Sequence, residues 1–178
     1  MSTDSAKLID SLAEVVAPKV LLDAIDTSRL LARLQIPHAL VGGLAVGIHG
    51  HPRATKDVDF LVGTEAFETT EPILSYRDEL TNIVRMGVID LLSVPSKRPV
   101  LRASLLVPRA GELPVVDVRG LVLMKLDAGR KQDFADIHHL LDNGADIDGI
   151  GEFLAQHAPD LVDGFGLLLE RRETSNRV

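Results

Sequence analysis

Apolar residues recur at helical spacing in the first thirty-odd positions and at strand spacing through the middle of the chain. Over 7–16, Leu8, Ile9, Leu12, Val15 and Val16 form one stripe, which predicts an amphipathic helix. Pro18 punctuates it and suits the first turn of a second helix, carried by Leu21, Leu22, Ile25, Leu30, Leu31 and Leu34 and ended by Pro37. Residues 38–41 (HALV) predict a short buried strand halted by Gly42-Gly43, and 44–49 a short helix. The run DVDFLV at 57–62 alternates as a strand does, and 64–80 reads as a ragged helix. Residues 81–85 and 88–94 predict paired strands turning at Met86-Gly87, and 100–107 with 113–118 a second hairpin around Ala110-Gly111. Helical patterns follow over 121–128 and 133–141, with two more after Asp148.

That order predicts one α+β domain over 1–178: N-terminal helices over 1–36, a core with a small mixed β-sheet flanked by helices over 38–118, and a helical C-terminal third over 119–178. With 46% hydrophobic residues the 178-residue chain can bury a core without staples. Five Phe, one Tyr and no Trp leave its filling to Leu, Val, Ile and Ala. The absence of Cys excludes disulfides and thiolate metal sites.

The first residues lack the basic-then-apolar signature of a signal peptide, and no apolar run approaches the ~20 residues of a membrane helix, so the expectation is a cytoplasmic protein with no membrane partner. A net charge of −7 argues against generic DNA binding, which rests on many Lys and Arg contacts to phosphate.

Three features in order carry candidate chemistry: Gly42-Gly43, then Asp57-Val58-Asp59, then Asp90. On a strand, residues two apart share a face, so Asp57 and Asp59 project together while Val58 and Phe60 face the core. Asp90 is a carboxylate inside an otherwise apolar strand (VIDLL), and it wants a partner. If its strand neighbours the Asp57 strand, three carboxylates converge into a site for Mg²⁺ or Mn²⁺. Gly42 and Gly43 would let backbone approach a phosphate closely, and Lys56 or Arg53 would neutralise phosphate charge. The acids alone also fit a solvated strand start, and the glycines a plain turn. His49 and His51, flanking Gly50, read as bystanders.

The run VGGLAVGIHGHPRATKDVDFLV resembles the signature of the nucleotidyltransferase superfamily, the polymerase-beta-like fold: a hydrophobic residue, a Gly pair, then about a dozen residues to Asp-x-Asp. The ending R-x-T-K-D-x-D is similar to the branch containing AbiEii-type proteins, many of them toxins of toxin–antitoxin pairs. Lys125, Arg130, Asp133 and Asp136, in LVLMKLDAGRKQDFADIHHLL, match that branch's pattern. The resemblance spans roughly 41–141. It implies catalytic metal ligands at Asp57, Asp59 and Asp90, NTP phosphates over Gly42 and Gly43, and supporting roles near the nucleotide for Lys125 and Asp136. The same block also reads plainly, with Lys125 as a solvent-facing helix residue and Asp133 and Asp136 as first-turn acids favoured by the helix dipole.

The expected activity is transfer of a nucleoside monophosphate from an NTP to a hydroxyl of RNA (tRNA among the acceptors) or of protein, in a toxin with a cognate antitoxin. Two alternatives stand beside it. One is a catalytically silent nucleotide- or partner-binding module of the same fold. The other is an antitoxin-like transferase that adenylylates a partner protein.

Overall fold

A computed structural model describes residues 2–70, 73–85 and 88–175. The chain forms two compact units. The first runs to Ile48 and resumes over Pro52–Val116; the second comprises Asp117–Val178 together with His49–His51.

The first unit opens with strand β1 (Ser2–Asp4), helix α1 (Ser5–Leu12) and helix α2 (Pro18–Arg33). The first helix stops at Leu12, short of the 7–16 stripe, and a turn takes over in which Val15 and Val16 both donate backbone hydrogen bonds to the Leu12 carbonyl. Pro18 explains the stop: it needs Ala17 extended (φ −57°, ψ 133°), and the backbone must leave the helix before it. The second helix starts at Pro18 as expected and buries Leu21, Ala24, Ile25 and Leu31.

Strand β2 (His38–Leu40), helix α3 (Gly42–Ile48) and strand β3 (Val58–Val62) follow. Beyond β3 the expected helix over 64–80 is replaced, in the described residues before Asp78, by other structure. A single 3₁₀ turn (Thr64–Ala66) leads into a hairpin of β4 (Phe67–Thr70) and β5 (Ile73–Tyr76), in which Phe67 pairs with Tyr76. The β-branched and aromatic residues of FETT and ILSY favour the extended state, and Pro72 in the sequence cannot sit inside a helix. Helix α4 (Asp78–Arg85) then occupies the stretch read as a strand over 81–85. Its two first-turn acids, Asp78 and Glu79, suit the helix dipole, and Leu80, Ile83 and Val84 have helical spacing. The expected turn at Met86-Gly87 lies outside the described residues.

Strand β6 (Ile89–Ser93) has no antiparallel partner over 81–85. It runs parallel to β3, in a three-stranded sheet of order β2-β3-β6 with β2 antiparallel to β3. The second expected hairpin is also replaced. Pro99–Ser104 is 3₁₀, strand β7 (Glu112–Pro114) pairs with β1, and single bridges join Leu106 to His38 and Val115 to Leu40. Two segments read as partners of one another thus both dock on β2. Pro99 and Pro108 flank the first of them and, having no N–H to donate, do not extend it as a ladder strand beyond its bridge. Phe60, Leu40, Leu44, Leu61 and Leu101 are among the largest fully buried side chains of this unit. Burying each such side chain contributes about 1.5–3 kcal/mol.

The second unit holds helices α5 (Val118–Ala128), α6 (Lys131–Asp142), α7 (Ile147–His157) and α8 (Val162–Ser175), so the helical C-terminal third is as expected. Asp117 and Asp146 cap α5 and α7, accepting from the amides of Gly120 and Gly149. Gly129, at φ 64°, ends α5 in the left-handed conformation that glycine adopts without strain. The mixed architecture is the predicted α+β class, and among the described residues no helix is long and apolar enough to cross a membrane.

Candidate active site

The parallel pairing of β3 with β6 sets Asp59 directly opposite Asp90 in register. Side chains of in-register residues on neighbouring parallel strands leave the sheet on the same side, with backbones about 4.8 Å apart. Val58 and Phe60, with their partners Ile89 and Leu91, take the other face and are buried. Asp59 and Asp90 thus share the opposite side of the sheet, on which the fully buried Leu61 follows two residues along β3. Asp59 is half-buried and Asp90 exposed. Asp57 stands just before β3, two residues from Asp59, and is exposed. Two carboxylates on adjacent strands repel each other, and a divalent cation relieves that repulsion. As the side chains are oriented, no group of three His, Cys, Asp or Glu among the described residues stands ready to hold a metal ion.

The glycine pair is tied to this strand. The Val41 amide donates to the Asp59 carbonyl at 2.9 Å, which brings the end of β2 against β3 where α3 begins. Gly42 adopts φ +65°, and a Cβ built there would overlap the Asp59 carboxylate. Gly43 is buried, and its Cβ would come within 3.0 Å of the Thr55 hydroxyl and 3.3 Å of Arg53 Nη2. Each glycine therefore makes room for a side chain of the R-x-T-K-D-x-D segment. That packing duty was invisible in the sequence, where the pair reads only as a turn. Thr55, which sequence reasoning did not assign, donates its hydroxyl to the Asp57 carbonyl at 3.4 Å and so ties this loop to the acid. Arg53 donates to the Ala54 carbonyl at 3.5 Å, and Lys56 is exposed.

Lys125 and Asp136 belong to the second unit. The Lys125 side chain is only 6% exposed, and its ammonium donates to Asp136 Oδ2 at 2.6 Å and to Asp133 Oδ1 at 3.2 Å. Arg130 Nε donates to Asp133 Oδ2 at 2.7 Å, and Gln132 Nε2 to Asp136 Oδ1 at 3.0 Å. Burial pushes the Asp133 carboxyl up, but the hydrogen bonds from Arg130 and Lys125 outweigh it and hold the group below its ordinary value. Asp133 also accepts from the Arg130 amide, the first-turn capping that its position predicted. Lys125 is not the solvent-facing helix residue of the plainer reading: it clamps α5 to α6.

His51, expected to be a bystander, stacks on His139 with ring centroids 3.5 Å apart and planes at 11°. Asn143 Nδ2 donates to the Gly50 carbonyl at 2.9 Å, so α6 holds the 49–51 segment at two points.

No protein family and no curated protein matches the chain. Among solved structures it is similar to an antigenic nucleotidyltransferase-like protein from Paracoccidioides brasiliensis, at 16% identity and a TM-score of 0.47, over 85% of this chain and 94% of that one.

Proposed function

We propose that the chain is a Mg²⁺- or Mn²⁺-dependent nucleotidyltransferase that moves a nucleoside monophosphate from an NTP to a hydroxyl of RNA, tRNA first among the acceptors, or of protein. The register pair Asp59–Asp90, with Asp57 two residues before Asp59, carries this reading. The donor set fits such a cation: hard carboxylate oxygens on adjacent strands, in a half-exposed position where like charges meet.

Asp57, Asp59 and Asp90 are the proposed ligands. Bound there, the cation supplies positive charge for the triphosphate and for the departing pyrophosphate. Asp90 accepts the proton of the acceptor hydroxyl as that oxygen bonds to the α-phosphorus and the bond to pyrophosphate breaks. The backbone at Gly42 and Gly43 binds the triphosphate, with Arg53 and Lys56 offsetting its charge. A supporting role near the nucleotide for Lys125 and Asp136 rests on the resemblance alone, and within their own unit the Lys125 ammonium is held by two carboxylates. The narrower version, a tRNA-modifying toxin held in check by a cognate antitoxin, is supported by R-x-T-K-D-x-D and the Lys125, Arg130, Asp133, Asp136 pattern.

The test is incubation with radiolabelled NTPs, Mg²⁺ and total tRNA. Label transfer that disappears in Asp57→Ala supports the enzyme. NTP binding without transfer to any RNA or protein supports a catalytically silent module instead. That second reading is favoured by the absence, among the described residues, of three ligand side chains already oriented for a metal.

A further inference from the structure

A second candidate site lies elsewhere in the first unit. The C-terminal half of α2 and the turn at 108–112 line an open cavity of about 680 Å³ that includes none of Asp57, Asp59 and Asp90. Its size falls within the range that small organic ligands occupy, about 300–1,000 Å³. Ile25, Ala32 and Pro108 supply apolar wall, and three arginines, Arg29, Arg33 and Arg109, stand around it. Arg29 pairs with Asp26 at 3.2 Å, and the Glu112 carboxylate accepts from the Arg109 amide at 3.2 Å. Both acids of the lining are thus engaged. Among the described residues, the guanidinium groups of Arg33 and Arg109 are in no ion pair.

The wall also contains one buried polar group, Ser28. Its Oγ lies 2.7 Å from His38 Nε2, and His38 Nδ1 lies 2.9 Å from the Ile36 carbonyl. A carbonyl only accepts, so Nδ1 carries the proton and Nε2 accepts from the Ser28 hydroxyl. What Ser28 has left to offer is a lone pair. The cavity therefore combines two available fork-shaped cations, an apolar wall and a hydrogen-bond acceptor, in a chain whose net charge is −7.

We propose that this cavity binds a small organic anion: a phosphate or carboxylate held by Arg33 and Arg109, an apolar body against Ile25, Ala32 and Pro108, and a hydroxyl or amine donor directed at Ser28. A guanidinium meets either anion through paired hydrogen bonds, which a lysine cannot reproduce. The proposal does not depend on the transferase reading.

Isothermal titration of the full chain with phenyl phosphate, benzoate and inorganic phosphate tests it. One equivalent of phenyl phosphate or benzoate is expected to bind at least tenfold more tightly than inorganic phosphate, and the stronger of the two identifies the anion. Arg33→Gln with Arg109→Gln should weaken binding at least tenfold without changing the far-ultraviolet circular dichroism, and Lys at both positions should restore only part. Asp57→Ala should bind as the unaltered chain does. The proposal is overturned if neither aryl anion binds, if inorganic phosphate binds as well as both, if the double Gln variant binds normally, or if Asp57→Ala abolishes binding.

Discussion

The carboxylate of Asp59 fills the space that a side chain at residue 42 would need. Gly42 is also held at φ +65°, where an L-residue is strained. Packing thereby accounts for a glycine at residue 42. The loop from α3 must return β3 so that residue 59 lands beside residue 42, and any ligand arriving there meets backbone and carboxylate together.

Gly42→Ala is expected to destabilise the chain by about 2 kcal/mol or more, from left-handed strain of about 1–2 kcal/mol and displacement of Asp59. Urea denaturation reads this directly. Asp59→Gly in the same background should return part of the loss, a coupling of about 1 kcal/mol between residues in contact. Strict additivity of the two changes would mean that the side chain at 59 does not occupy that space.

Asp90→Asn should act in opposite directions on two measurements. Without added metal the variant gains a few tenths to about 1 kcal/mol, because a like charge opposite Asp59 has gone. Its affinity for Mn²⁺, followed by electron paramagnetic resonance, should drop at least tenfold. A melting temperature that falls, with Mn²⁺ affinity unchanged, would leave Asp90 an ordinary strand residue.

Lys125→Met removes the cation that Asp133 and Asp136 share at 3.2 and 2.6 Å. Breaking one side of a buried pair costs about 3–5 kcal/mol, and the hydrogen bonds that Arg130 and Gln132 keep to the two acids set the expectation at the lower end. Amide exchange across α5 and α6 should accelerate accordingly. Adding Asp136→Asn to Lys125→Met should return part of the stability, which no loss of nucleotide contact would produce.

His38 is buried, and desolvation lowers its pKa from 6.5 while the hydrogen bond to the Ile36 carbonyl works the other way. Well above pH 6.5 the group is neutral in both folded and unfolded chains and stability is indifferent to it. As pH falls below that value the unfolded chain takes up the proton first, so stability declines until the folded pKa is reached and then levels off. The slope is at most about 1.4 kcal/mol per pH unit for one proton. Thermal melts from pH 7.5 to 5.0 on the unaltered chain and on His38→Gln should diverge over that window. Parallel curves would place the acid sensitivity elsewhere.

What the sequence made legible and what it hid divide along physical lines. Pro18 at a helix start and the β-branched, apolar run VDFLV are local signals, and both elements formed where they point. The apolar flanks of Asp90 revealed its strand, but not that strand's partner: the local pattern pointed to a hairpin with 81–85, and the parallel pairing with β3 is a tertiary choice. Residues 64–80 went astray because a polar, Thr- and Glu-rich stretch has no clean period, and the β4–β5 hairpin is settled by pairing across it. The 100–107 segment failed for another reason: two short strands beside one turn look like a hairpin, yet both lie against β2, a preference expressed only in tertiary contact. Lys125 shows the same limit in a side chain. Its partners at 133 and 136 lie beyond a helix end, and only the turn at Gly129 brings them under its ammonium.

The stacked rings of His51 and His139 make the second unit a poor candidate for excision. The backbone passes into that unit at residue 49, leaves it after residue 51 and returns at Asp117. A truncation ending at Val116 would keep the 49–51 segment of the second unit without its partners His139 and Asn143, and a fragment starting at Asp117 would expose the imidazole face of His139. The boundary at 116–117 is therefore a poor place to cut, and the chain should be expressed and unfolded as one piece.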